Sequence, residues 1–252
     1  IWGRMSDRIG RKPILISTVC ATCLCYLALS FAPNVYIAFI VRFIGGLCSG
    51  NGSVIQGYIA DVTPPELRAG RIALMGATFN IGFILGPALG GLLAHPSLGP
   101  IGYQIPLLTA ASMSFLSAMG VIFFVRESRE RKADGLVMPS RWAMMTRAFA
   151  HPAVGRLLLL TYVAGFAFTG VESTFGLWAQ ARFEWGPREV GWCFAAIGVS
   201  SALTNTLLTG RLSRQFGEAT MLAVGMGISA SAAFMLIFST SMATTICFMA
   251  LM

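Results

Sequence analysis

The sequence predicts an all-α polytopic membrane protein. Hydrophobic residues fill 56% of its 252 positions and charged residues only 11%, against roughly a quarter in soluble domains. The charges gather in short clusters between long uncharged runs. That is the pattern of a chain whose solvent is mostly lipid. The runs are too long for buried strands, and they lack the alternation of an outer-membrane barrel.

A helix needs about 20 apolar residues to cross the hydrocarbon. The stretches that qualify are 13–32, 35–59, 71–94, 102–125, 154–180, 188–210 and 219–239, with 242–252 as the start of another. The connections between them alternate sides. One set is 1–12, 60–70, 126–153 and 211–218; the other is 33–34, 95–101, 181–187 and 240–241. With span-end residues counted, the first set holds every Lys and Arg except Arg42, Arg182 and Arg188. The positive-inside rule puts that set in the cytoplasm. The longest connection, 126–153, carries RESRERKADG and then an amphipathic piece around Arg141, Trp142 and Arg147, suited to the membrane interface. It reads as a cytoplasmic linker between an N-terminal half, 1–125, and a C-terminal half, 154–252.

The net charge of +8 does not point to nucleic acid, because the basic residues flank apolar spans and no soluble basic domain holds them. Cys20, Cys23, Cys25, Cys48, Cys193 and Cys247 lie inside apolar runs and read as packing thiols. His95 and His151 are too isolated to ligate a metal, and no nucleophile triad or phosphate loop is present. The expectation is a protein that is not an enzyme and needs no cofactor.

The chain also repeats itself. In Gly3–Gly10 (GRMSDRIG) and Gly210–Gly217 (GRLSRQFG), Gly, Arg, Ser and Gly recur at the same spacing. Each copy precedes a span, and six spans separate the two. A six-span period is the parallel repeat of a transporter built from two six-helix halves. Asp7 can pair with Arg8 or sit at a helix N-terminus, where the dipole favours an anion. Arg11 and Lys12 suit the anionic leaflet. The segment is either a plain topology anchor or a latch that opens and closes during transport.

Residues 3–12 (GRMSDRIGRK) resemble the loop signature of the major facilitator superfamily. Residues 42–46 (RFIGG) resemble the Arg-x-x-x-Gly motif of its fourth helix, and residues 82–91 (GFILGPALGG) resemble the antiporter motif of its fifth. The resemblance covers the whole chain and is strongest to the drug–proton antiporters, including the tetracycline-efflux proteins. It implies the twelve-helix major facilitator fold of two parallel six-helix halves, with helices three to nine and part of ten present here. It also implies a monomeric transporter of the bacterial inner membrane, whose partners are the lipid bilayer, protons and a small-molecule substrate, driven by the proton gradient. Proton-coupled efflux of amphipathic compounds is the leading expectation; a proton-coupled importer of the same fold is the alternative.

Within that resemblance particular residues take roles. Arg42 lies inside its span, where a charge costs about 2.5–3.5 kcal/mol and should either face a cavity or a partner or snorkel to the outer surface; in the resembled family the arginine there is implicated in proton coupling. Glu172 is the one carboxylate in the interior of any span. A low-dielectric setting disfavours its charged form, so it can take up and release a proton. Pairing with a cationic drug and a structural hydrogen bond remain open for it. Gly3, Asp7, Arg8, Gly10 and Arg11 form the loop signature, with Asp61 at the end of the second span as a candidate third partner of Asp7 and Arg8 in gating.

Gly82, Gly86 and Gly90 make a smooth stripe that admits a second helix. Gly91 completes the antiporter motif and Pro87 permits a bend. Asn80, Phe168, Phe175, Trp178 and Asn205 are candidates to line a drug cavity. Thr63-Pro64-Pro65-Glu66 reads as a helix start with a capping box. Ser201 and Ser229 stand where the tetracycline-efflux proteins carry a histidine and an aspartate, so a metal–tetracycline chelate is not the expected substrate.

Overall fold

A computed structural model describes residues 2–128, 146, 149–209, 212 and 215–252. Every regular element among them is helical. The chain divides into two compact units, Ile1–Ala133 and Asp134–Met252. Arg141, Trp142 and Arg147 lie outside the described residues, as do Gly210, Arg211, Ser213 and Arg214 of the second loop copy.

In the first unit, helix α1 (Trp2–Ile9) is followed by α2 (Arg11–Ser30), α3 (Val35–Cys48), α4 (Gly52–Val62), α5 (Pro65–Leu93) and α6 (Pro100–Phe124). The loop signature expected at 1–12 is therefore mostly a helix. It ends at Gly10, whose φ of +117° lies where a side chain is strained, and the chain turns there into α2. The expected span 35–59 is two helices. Asn34 caps the first by accepting from the Ile37 amide at 3.0 Å, and Ser49–Asn51 interrupts it. Val35–Val62 together is long and apolar enough to cross a membrane.

The capping box expected at Thr63–Glu66 does not form. Pro65 takes the first helical position and Pro64 the cap, which leaves the cap without an accepting side chain. Instead Thr63 lends its carbonyl to Arg68 Nε at 3.1 Å.

In this unit α2 is the central element, packed along α6 and also against α1, α3 and α4. The core holds Ile14, Leu15 and Val54, fully shielded, with Trp2, Met5, Ile55 and Val121 around them.

The second unit contains α7 (Pro152–Phe183), α8 (Pro187–Leu203), a π-helical extension Thr204–Thr209, α9 (Glu218–Leu236) and α10 (Met242–Leu251). Proline opens both α7 and α8, where its missing N–H costs nothing. Glu189 reaches back to the Gly186 amide at 2.9 Å and steadies the start of α8. Helix α10 packs on α8 and α9.

Seven helical stretches among the described residues have the length and composition of membrane spans. Their outer surfaces carry Leu, Ile and Phe: Phe39, Phe79, Phe124, Tyr162 and Phe166 are each more than two-thirds exposed. In water such a surface would be a liability; in lipid it is the expected one.

Candidate functional site

Three short helical segments bring their charges to one place in the first unit. Ser6 and Asp7 come from α1, Arg11 from the first turn of α2, and Asp61 from the last turn of α4. Arg11 is the hub and is 7% exposed. Its Nη2 meets Asp7 Oδ1 at 2.9 Å. Its Nε donates to Asp61 Oδ2 at 3.0 Å, and its Nη1 donates to Ser6 Oγ at 2.6 Å. The planar guanidinium thus spends a separate edge on each of three partners, a geometry that a lysine cannot copy. A charge this enclosed is tolerated because it is paired and hydrogen-bonded.

Arg11, not Arg8, is the arginine that joins the two acids. Adjacent helical residues point in different directions, whereas residues four apart lie one above the other. Asp7 therefore reaches Arg11, and Arg8 is exposed. Nor does Arg11 reach for the leaflet surface as the sequence suggested. Lys12 also turns inward, donating from Nζ to the Ile122 carbonyl of α6 at 2.8 Å.

Two further residues belong to this cluster and escaped sequence reasoning. Glu127 follows α6, and its carboxylate accepts from the Arg11 amide at 2.8 Å and the Lys12 amide at 3.0 Å. Ser128 Oγ donates to Asp61 Oδ2 at 3.3 Å. In the sequence both are submerged in the charged run RESRERK, and nothing about spacing links them to residue 11.

Two glycines make room. A Cβ on Gly57 would fall 2.6 Å from the guanidinium carbon of Arg11, and one on Gly10 would fall 2.6 Å from Glu127 Oε2. Gly3 sits against Ser53, and its carbonyl accepts from Ser6 Oγ at 2.7 Å.

Arg42 stands apart from this cluster. It lines a cavity of about 340 Å³ between α2 and α3 with Thr22, Cys25, Tyr26, Leu29, Val41, Gly45, Gly46 and Ser49. No acid lies among those residues, and among the described residues Arg42 has no ion pair.

Glu172 is exposed in the interior of α7, with no hydrogen bond or ion pair among the described residues. Three positions on, Phe175 is 2% exposed. Its ring meets Phe194 of α8 edge-on at 5.6 Å and Trp178 at 5.8 Å. Trp178 in turn meets Phe183, which stacks on Trp185 at 4.7 Å. This aromatic chain fastens the end of α7 to α8.

Gly82, Gly86 and Gly90 have only open space where a Cβ would stand, and Gly91 is buried. Pro87 lies inside α5, which continues past it as helix. Asn80 and Phe168 are half-buried and Asn205, in the π-helical extension, is exposed. In the second unit an apolar groove of about 1020 Å³ runs along α8, its π-helical extension and α10, walled by Trp192, Val199, Leu203, Leu207 and Ile246 among others. None of the five cavity candidates, Asn80, Phe168, Phe175, Trp178 and Asn205, lines either cavity. Ser229 Oγ donates to the Met252 carbonyl at 2.9 Å, and Ser200 binds the Ala250 carbonyl.

The chain is similar to known proteins along its whole length. The tetracycline resistance protein of class H from Pasteurella multocida is 32% identical over 90% of this chain and 56% of its own. Multidrug resistance protein 1 of Bacillus subtilis is 27% identical over 94% of this chain and 59% of its own. This chain thus spans less than two-thirds of the length of those relatives. Among solved structures, the human organic anion transporter MFSD10 (TETRAN) superposes with a TM-score of 0.65 at 20% identity, covering 99% of this chain and 64% of that one, which speaks for the fold. The profile of the Major Facilitator Superfamily matches residues 1–252, and with seven span-length apolar helical stretches among the described residues this multi-pass membrane chain belongs to that superfamily.

Proposed function

We propose that the protein is a secondary active transporter that exports small amphipathic compounds in exchange for protons, by alternating access of two helical halves. The observation that carries this reading is Glu172: an exposed carboxylate with no partner among the described residues, set within a long apolar helix. Such an acid is costly in lipid and is kept where it does work. Protonated, it is a neutral group that a low-dielectric setting tolerates; on releasing that proton to water it becomes a carboxylate that attracts a cationic solute. The similarity to tetracycline and multidrug resistance proteins supports export rather than uptake.

In this reading Arg42, alone in its cavity, supplies the positive counter-charge of coupling. Gly3, Asp7, Gly10, Arg11 and Asp61 form the gate, with Arg8 at its exposed edge. The uncovered stripe of Gly82, Gly86 and Gly90, with Pro87 and Gly91, provides a surface on which α5 slides against another helix. Asn80, Phe168, Trp178 and Asn205 touch the solute, while Phe175 supports that wall from behind. The protein works as a monomer in a bacterial inner membrane, with 1–12, 60–70, 126–153 and 211–218 facing the cytoplasm and the proton gradient as the only driving force. With serine at 201 and 229, the substrate is an organic amphiphile rather than a metal chelate.

The test uses inverted membrane vesicles from cells making the full-length protein. An imposed proton gradient should drive accumulation of ethidium, and Glu172→Gln should abolish it without lowering the amount inserted. Ethidium accumulation that survives Glu172→Gln would remove the carboxylate from the coupling step. Uptake of solute by intact cells in place of efflux would favour an importer.

A further inference from the structure

We infer that Glu127 is a positioning residue for Arg11: by clamping the first turn of α2, the segment leaving α6 sets where the guanidinium stands. Helix α2 opens at Gly10, which has no side chain with which to cap it. Its leading amides would be unsatisfied. The Glu127 carboxylate takes two of them, those of Arg11 and Lys12, one per oxygen. A carboxylate at a helix N-terminus is also favoured by the helix dipole. The residue so anchored is the same Arg11 whose side chain joins Asp7 and Asp61.

A second contact ties the same segment to the same cluster. Ser128, the next residue, donates to the Asp61 oxygen that Arg11 Nε also uses. Glu127 and Ser128 therefore hold the hub from its backbone side and its acid side at once. Lys12 adds a third tie, from Nζ to the α6 carbonyl of Ile122. The backbone has been shaped around this clamp. At Gly10 the left-handed φ and the closeness of Glu127 Oε2 both exclude a side chain.

Glu127 and Ser128 begin the connection toward the second unit. A pull on that connection would reach the cluster first at Asp61, through Ser128 Oγ, and next at the Arg11 and Lys12 amides, through Glu127. The clamp makes the gate of the preceding section responsive to the linker, and that consequence rests on the transport reading. The positioning itself does not.

The experiment is hydrogen–deuterium exchange on the purified full-length protein in detergent, followed at the amides of residues 11 and 12. Glu127→Gln keeps the size of the side chain but has one accepting oxygen and no charge. It should speed exchange at these two amides about tenfold, the loss of one charge-assisted hydrogen bond. Gly10→Ala, which displaces the carboxylate without removing it, should speed the same two amides, and in combination the two changes should do no more than either alone.

Arg11 coupling is read by double-mutant cycle in ethidium transport. Asp61→Asn should add little once Glu127→Gln is present, because both act through one arginine. Unchanged exchange at residues 11 and 12 in Glu127→Gln, or losses that simply multiply with Asp61→Asn, would overturn the assignment. If the wild-type protein moves no ethidium, the transport reading fails and the exchange pattern alone decides the role of Glu127.

Discussion

Arg11 and Glu172 are both charges in a chain that has few, and the protein treats them in opposite ways. Arg11 is enclosed and has a partner for every edge of its guanidinium. Glu172 is exposed within an apolar helix and has no hydrogen bond or ion pair among the described residues. A fully partnered charge has one low-energy protonation state and one place to be. An unpartnered one can change its charge at small structural cost. The contrast separates a residue that holds shape from the one to which the proposed transport assigns the proton.

The largest expected effect follows from that separation. Glu172→Gln should eliminate gradient-driven ethidium accumulation in proteoliposomes while leaving thermal unfolding in detergent unchanged. Glu172→Asp, which keeps the carboxylate, should retain part of the transport. A fall in melting temperature for Glu172→Gln would show that the acid has a structural partner after all and would break the contrast.

Arg11→Ala should behave in reverse. It removes the guanidinium that joins Asp7 and Asp61, and breaking an enclosed pair in this way costs about 3 kcal/mol. The measurement is thermal or denaturant unfolding of the first unit within the full protein. Arg11→Lys keeps the charge but loses the fork, so it should restore only part of that stability. Phe175→Ala, three positions from Glu172, should also destabilise by about 3 kcal/mol, since the ring fills the join between α7 and α8. It should leave the proton dependence of whatever transport remains unchanged, which distinguishes a wall residue from a coupling residue on the same helix.

The spans were readable because lipid imposes one rule on every residue in them: a run long enough and apolar enough must be a helix. What the sequence did not disclose is instructive in each case. The break at Ser49–Asn51 falls in the short stretch SGNGS, while Val35–Val62 as a whole stays long and apolar enough to cross a membrane. The loop signature forms helix α1 because Trp2–Ile9 closes its own backbone bonds and packs Trp2 and Met5 on the core. Arg8 was the obvious neighbour of Asp7 in the sequence, but helical geometry gives that place to Arg11.

Glu127 was invisible for a different reason. Its partners are backbone amides 115 and 116 positions away, and backbone groups leave no mark on a sequence. Glu172 and Arg42 stand out in the sequence because a charge within a span is rare. The contacts of the cavity candidates do not, because aromatic residues serve packing and binding equally well, and only the ring geometry showed Phe175 enclosed against Phe194.

The smallest expected effect concerns the space that Arg11 needs. Gly57 lies on α4 directly under the guanidinium, and an added methyl carbon would stand 2.6 Å from its central carbon and 2.7–2.8 Å from both terminal nitrogens. Something must move. The backbone of α4 is pinned by Val54 in the core, so the side chain of Arg11 is the softer party. Displacing it lengthens the contacts to Asp7 and Asp61 without removing the charge. Gly57→Ala should therefore cost about 1–2 kcal/mol, less than Arg11→Ala, and the two changes together should cost no more than Arg11→Ala alone. Full additivity in unfolding experiments would show that Gly57 matters for α4 itself rather than for the arginine above it.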